Sequence, residues 1–143
     1  MIPRLNVFDK YREYAPLFIR LIIGFHLTHG TWPHVFSYAR MLEFADFLRD
    51  HGLRFALFFA FLSAYSQFVC GLLFILGAAT RYAAVVMIIN FIAALIIAHR
   101  GDTYAHTFPA LLMLSAACFF LFHGAGRLSV DSALAKQEMK QKG

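Results

Sequence analysis

Long stretches without charged side chains dominate the pattern of apolar and polar positions along the chain. Three such stretches, all in the last two thirds of the sequence, contain no Lys, Arg, Asp or Glu. A hydrocarbon core about 30 Å thick requires roughly 20 apolar residues in a helix, and backbone groups in lipid must be satisfied within the segment. The pattern therefore predicts transmembrane helices at approximately residues 54–77, 82–99 and 107–123.

A fourth apolar stretch, residues 14–30, has a similar length but contains Arg20. Asp9 and Glu13 precede it and no small-residue cleavage site follows, so we predict a retained span rather than a signal peptide. Together the four segments predict an all-α fold, a transmembrane four-helix bundle that forms a single membrane domain over residues 1–143.

Residues 37–51, between the first two spans, have the pattern of a short amphipathic helix. Ser37 is a candidate N-cap and Gly52 a candidate stop signal. Such a helix either lies flat on the membrane or covers the mouth of the bundle. A polar tail follows at residues 132–143, and its last part, residues 136–143, is predicted to be loose. The apolar face of the amphipathic helix contains Met41, Leu42, Ala45 and Leu48.

Composition and charge predict how the chain is oriented in the membrane. Hydrophobic residues make up 60% of the chain and charged residues 15%, whereas soluble domains are about a quarter charged. The four-span topology places eight bases on the side of both termini and four on the opposite side. The positive-inside rule then predicts a bacterial inner-membrane protein with both termini cytoplasmic. The basic excess fits membrane lipids as partners, and no nucleic-acid motif accompanies it.

No catalytic motif is visible. The sequence contains no glycine-rich phosphate loop, paired carboxylates or HExxH, and no carboxylate lies at membrane depth. Cys70 and Cys118 fall inside spans without metal-ligand spacing, so we predict no metal site and interpret both as small apolar residues. These absences favour a protein without catalytic activity of its own.

Arg20 is the charged residue that falls within a predicted span, and two interpretations remain open. Its side chain can snorkel to the headgroups, or it can point inward and bond Gln67, Asp131 or an anionic ligand. Gln67 lies four residues after Ser63 on the same helix face, and Asn90 near the centre of the third span can join two helices by a side-chain hydrogen bond.

Six of the seven histidines fall in the half of the bundle away from the termini. Four of them, His26, His29, His99 and His106, reach the same depth from three helices. Imidazole both donates and accepts hydrogen bonds, so such a cluster suits a quinone carbonyl, with a metal ranked lower and haem lowest. Interfacial histidines also simply bond headgroups and backbone. The candidate cofactor-binding residues are Arg20, His26, His29, Gln67, His99 and His106.

Three short segments resemble the DoxX family of small integral membrane proteins. One is Arg20, Gly24 and His29-Gly30, the second runs from Gln67 to Thr80-Arg81, and the third is residues 124–131, a Gly-x-Gly-Arg followed by Ser-x-Asp. In one departure, many relatives carry a Glu where this chain has Gln67.

The resemblance implies a four-helix membrane protein linked to quinone or sulfur redox chemistry, or an accessory partner of larger redox assemblies. We therefore predict an accessory subunit of a membrane redox or respiratory complex, associated with its other integral membrane subunits. The alternative is a quinone- or haem-binding oxidoreductase subunit, active in electron transport, with its own site on the side of the bundle away from the termini.

Overall fold

The computed structural model describes residues 6–142, and all the regular structure in that range is helical, as predicted. Arg4, which the base count includes, lies outside the described residues. The elements in chain order are a 3-10 helix Asn6–Tyr14, α1 Ala15–Phe36, α2 Tyr38–Asp50, α3 Ala56–Leu76, α4 Thr80–Ile97, α5 Tyr104–His123 and α6 Val130–Gln141.

Three helices of the described chain, α3, α4 and α5, are long and apolar enough to cross a membrane. They match the predicted spans at 54–77, 82–99 and 107–123. Their outward faces carry exposed apolar side chains, as expected of surfaces that meet lipid. Examples of these exposed residues are Phe58, Leu62, Leu76, Ile89, Ile96 and Phe122.

α1 is longer than the predicted span 14–30, because it continues past Gly30 to Phe36. Gly30 lies inside this helix and does not mark its end. The last turn is instead held by aromatic packing on α3, where Trp32 and Phe36 lie 6.1 and 5.7 Å from the ring of Phe68. Tertiary contacts therefore extend the helix through residues that usually end one.

The bundle consists of two closely packed pairs, α1 with α3 and α4 with α5, joined along α3 and α4. The first pair meets at glycines, since a Cβ on Gly24 would lie 2.6 Å from the carbonyl oxygen of Gly71. Small residues at such crossings let helix backbones approach closely, which is the usual basis of helix association in membranes. The core between the pairs centres on the buried side chains of Phe74, Met87 and Phe120.

α2 confirms the predicted amphipathic helix and shows what its apolar face contacts. Met41 and Ala45 are fully buried and pack with Ala56 and Ala60 at the start of α3. α2 thus covers one end of the bundle, called the α2 end below. Ser37 occupies the N-cap position, but its hydroxyl makes no capping bond to the described residues.

The prediction of a loose tail is wrong for residues 136–141, which belong to α6. Ser129 supplies the local reason, because its hydroxyl oxygen accepts a hydrogen bond from the Ser132 amide at 3.1 Å and caps the helix. Asp131 adds a negative charge in the first turn, where it favours the helix dipole. α6 lies at the end of the bundle opposite α2, called the terminal end below.

Candidate functional site

A cavity of about 580 Å³ lies between the two helix pairs towards the α2 end. α1, α3, α4 and α5 form its walls, and Phe44 and Leu48 of α2 line it from the covered end. Its remaining lining is mostly apolar and includes Leu27, Phe91 and Met113. A mostly apolar cavity with a few polar groups is the usual form of a small-molecule site.

A chain of three polar side chains crosses one wall of this cavity. Gln67 Nε2 donates to Ser63 Oγ at 3.0 Å, and Ser63 Oγ donates to Asn90 Oδ1 at 2.8 Å. The second bond joins α3 to α4, as predicted for Asn90. Because the Asn90 oxygen accepts this bond, its amide nitrogen is oriented elsewhere, and that buried Nδ2 finds no acceptor among the described residues.

The unpartnered amide of Asn90 is the most informative feature of the cavity. A buried donor without an acceptor costs about 1–3 kcal/mol, and most buried polar groups in native structures are satisfied. A ligand oxygen in the cavity would satisfy this donor. The arrangement therefore suits a ligand that combines an apolar body with a hydrogen-bond acceptor.

Three histidines line the cavity, His26 and His34 from α1 and His99 from the end of α4. His34 Nδ1 donates to the carbonyl oxygen of Arg40 at 3.0 Å, and His99 Nδ1 contacts the Asp102 carboxylate at 2.9 Å. Because the Arg40 oxygen can only accept, a neutral His34 carries its proton on Nδ1 and presents Nε2 as an acceptor.

The predicted convergence of four histidines is only half realised. His26 and His99 line the cavity, whereas His29 and His106 lie outside its lining. His29 stacks on Phe25, with ring centroids 5.4 Å apart, on an outward face of α1. Among residues 6–142, no group of three or more His, Cys, Asp or Glu side chains could hold a metal ion.

Part of the cavity wall is open to the surroundings of the bundle rather than to the core. Leu62 of α3 and Val86 and Ile89 of α4 line the cavity, yet 52%, 42% and 65% of their surfaces are exposed. These residues mark a lateral opening at the seam between the two helix pairs. In a membrane, such an opening faces acyl chains.

Arg20 lies far from this cavity, at the terminal end, and does not bond Gln67. Its side chain is 1% exposed, which excludes the snorkelling interpretation. Its Nη2 donates to the carbonyl oxygen of Leu128 at 2.6 Å, in the loop that follows α5. The negative charge of Asp131 acts on Arg20. The two side chains make no direct ion pair within the described chain.

Gly77 is the residue that makes room for Arg20. It ends α3 in the left-handed region (φ +66°), and the Ala78 amide donates back to the Leu73 carbonyl at 3.0 Å, a common helix-ending arrangement. A Cβ at Gly77 would overlap the Arg20 guanidinium. The glycine is therefore required both by its backbone angle and by the arginine above it.

Asp131 joins the same region to the start of α4. Its carboxylate accepts hydrogen bonds from the Ala79 and Thr80 amides at 2.7 and 3.0 Å, and its own amide donates to the Gly77 carbonyl at 2.9 Å. A carboxylate at a helix N-terminus satisfies free amides and favours the helix dipole. All three segments noted in the sequence thus meet at one structural junction.

Comparison with known proteins identifies the family of this chain. A family model described as DoxX matches residues 15–100, which is more than half of the chain. The chain belongs to the DoxX family. It is also 32% identical over 134 residues to the uncharacterized membrane protein Rv3486 of Mycobacterium tuberculosis, covering 83% of this chain and 80% of that protein. No solved structure matches this chain significantly.

Two features of the cavity, His34 and the unpartnered amide of Asn90, were not predicted from the sequence. His34 was not among the candidate residues, although its position two turns after His26 on α1 places it on the same face. Asn90 was expected only to join helices. Its unpartnered amide depends on which atom of Asn90 meets Ser63, and sequence carries no signal for that choice.

Proposed function

We propose that this protein is a four-span accessory subunit of a bacterial membrane redox complex, and that its cavity binds a quinone headgroup. The observation that carries the proposal is the Asn90 side chain, which lines an apolar cavity and whose buried amide nitrogen has no acceptor among the described residues. A quinone carbonyl is an acceptor on an apolar ring, so it complements both properties. No catalytic role of its own is assigned to the chain.

The lateral opening supports a ligand that dissolves in the membrane. Leu62, Val86 and Ile89 are both lining residues and exposed residues, so an isoprenoid tail can lie in lipid while the ring occupies the cavity. Asn90 would donate to one carbonyl, and His26 or His99 lies in the same lining to donate to another. A bound quinone supplies reversible two-electron chemistry, while these residues only bind and orient its ring.

Two serines provide a matched test of the cavity. Ser63 Oγ orients Asn90, whereas Ser115 Oγ bonds only the Leu111 carbonyl of its own helix at 2.9 Å and lies outside the cavity. We expect Asn90→Leu to weaken binding of a benzoquinone with a ten-carbon tail about tenfold or more, and Ser63→Ala about three- to tenfold. Ser115→Ala should bind like the parent.

Calorimetric titration of the purified protein in nanodiscs measures these affinities, after thermal denaturation has shown that each variant is folded. If the parent shows no saturable binding, or if Asn90→Leu binds like the parent, the quinone proposal is wrong. An optical spectrum of the same sample addresses the oxidoreductase alternative. Because His26 of α1 and His99 just after α4 both line the cavity, haem held between them would give a bis-histidine reduced spectrum.

The accessory role is tested separately by purification in mild detergent and identification of bound proteins. We expect a redox enzyme subunit to co-purify in stoichiometric amount. If the protein repeatedly purifies alone and still binds quinone, the accessory role is wrong while the cavity assignment stands. The two parts of the proposal can therefore fail independently.

The fourth span in this proposal is α1. Its 22 residues extend about 33 Å at 1.5 Å per residue, enough to cross the hydrocarbon core. Its outward side chains are apolar, with Phe18, Ile22 and Phe25 each more than 60% exposed. The charge of Arg20 is shielded from lipid by burial, which removes the main objection to a span at this position.

The proposed orientation puts the terminal end in the cytoplasm of the inner-membrane protein, because most bases lie there. Single cysteines introduced at Ser37 and Ser132, with Cys70 and Cys118 replaced, allow labelling of intact cells by an impermeant reagent. We expect label at position 37 and none at position 132 until the membrane is permeabilised. The reverse pattern would invert the orientation.

A further inference from the structure

A basic groove lies at the terminal end, between α6 and the loop that precedes it. Its volume is about 450 Å³, and Arg127, Lys136 and Lys140 contribute to its lining together with the hydroxyl-bearing Ser129. Lys136 and Lys140 are four residues apart, so they occupy the same face of α6. No acidic side chain lines the groove within the described part of the chain.

The two acidic residues of α6 are directed elsewhere. Asp131 is engaged by the Ala79 and Thr80 amides at the start of α4. Glu138 lies about 200° around the helix from Lys136, which places it on the opposite face. The positive charge of the groove is therefore uncompensated by its own helix.

Two exposed apolar side chains lie beside these bases. Leu128 lines the groove and is 54% exposed, and Met139, about 60° around α6 from Lys136, is 68% exposed. α6 begins only seven residues after α5 ends at His123, so the groove lies close to the level where a spanning helix leaves the membrane. Basic residues next to exposed apolar ones at that level suit the boundary between lipid headgroups and acyl chains.

We propose that this groove binds the phosphate headgroup of an anionic phospholipid, with Arg127, Lys136 and Lys140 contacting the phosphate. Arginine and lysine are the residues that bind phosphate in proteins, through charge-assisted hydrogen bonds. The lipid tails lie against the apolar side chains of the loop and α6. This site is separate from the cavity and does not depend on quinone binding.

The test compares two double variants that remove the same charge. Lys136→Gln with Lys140→Gln alters the groove, whereas Arg54→Gln with Arg100→Gln removes two bases near the α2 end. Delipidated protein is titrated with phosphatidylglycerol or phosphatidylcholine, and bound lipid is counted by native mass spectrometry. We expect the parent and the α2-end variant to prefer phosphatidylglycerol, and the groove variant to bind it about 20-fold more weakly, from roughly fivefold per base.

Equal binding of the two lipids by the parent would overturn the proposal, as would an unchanged preference in the groove variant. A loss of equal size in the α2-end variant would show that total charge, and not the groove, attracts the lipid. If millimolar inorganic phosphate displaces phosphatidylglycerol completely, the groove binds free phosphate and the assignment to lipid is wrong.

Discussion

Replacing Gly77 by alanine should disrupt the junction of α1, α3 and the loop after α5. The residue has φ +66°, where an L-residue with a Cβ costs about 1–2 kcal/mol. The added methyl also occupies the position of the Arg20 guanidinium. Arg20 must then move and lose its hydrogen bond to the Leu128 carbonyl, a charge-assisted bond of about 1.5–3 kcal/mol.

Summed, these two effects predict a loss of about 2.5–5 kcal/mol in the free energy of unfolding. Gly52 supplies the matched control, because its φ is +84° and nothing lies within 4 Å of the position of a Cβ. Gly52→Ala should therefore lose only the backbone part, about 1–2 kcal/mol. The difference between the two variants measures the contacts of the new methyl group, which are with Arg20 and with the Ser129 Cβ.

Reversible unfolding in mixed micelles of increasing denaturing detergent, followed by circular dichroism, measures both variants. A double-mutant cycle with Arg20→Met sharpens the result, since methionine removes the guanidinium that the new methyl meets. We expect the cost of Gly77→Ala to fall towards that of Gly52→Ala in the Arg20→Met background. Equal losses for Gly77→Ala and Gly52→Ala in the parent background would refute the packing of Arg20 over Gly77.

Three further predictions concern helix packing, capping and the cavity. Gly24→Ala should cost about 1–3 kcal/mol by overpacking against the Gly71 backbone, whereas Gly30→Ala, in open space, should be neutral or stabilising in the same unfolding assay. Asp131→Asn should cost about 1–2 kcal/mol because it removes the charge and one acceptor at the start of α4. In calorimetric titration, His26→Ala should weaken quinone binding while His29→Ala should not, and equal effects would contradict the geometry of the cavity.

The spans α3, α4 and α5 could be predicted because an apolar stretch without charge, as long as a bilayer is thick, is typical of a membrane-spanning helix. The rotation of each helix about its own axis could not be predicted in this way. Lipid-facing and core-facing residues are equally apolar in a membrane protein, so hydropathy does not distinguish the two faces. For this reason His26 and His29 looked equivalent in sequence, although only His26 lines the cavity.

Contacts between distant segments were the other limit of sequence reasoning. The sequence left several possible partners for Arg20. The partner that it bonds is a backbone carbonyl 108 residues away. Backbone acceptors carry no side-chain signature, so only the family resemblance associated the two segments. The helical tail was missed because its polar composition was interpreted as a loose segment, and Ser129 was not considered as an N-cap.

Photoaffinity labelling can show whether a quinone headgroup occupies the cavity between the helix pairs. The protein in nanodiscs is irradiated with a benzoquinone that carries a photoreactive group on its ring, and labelled peptides are identified by mass spectrometry. We expect label on cavity residues of α3 and α4, around Ser63 and Asn90, and we expect excess unlabelled quinone to abolish it. Label spread over the lipid-facing surfaces of the helices, undiminished by competitor, would contradict quinone binding in the cavity.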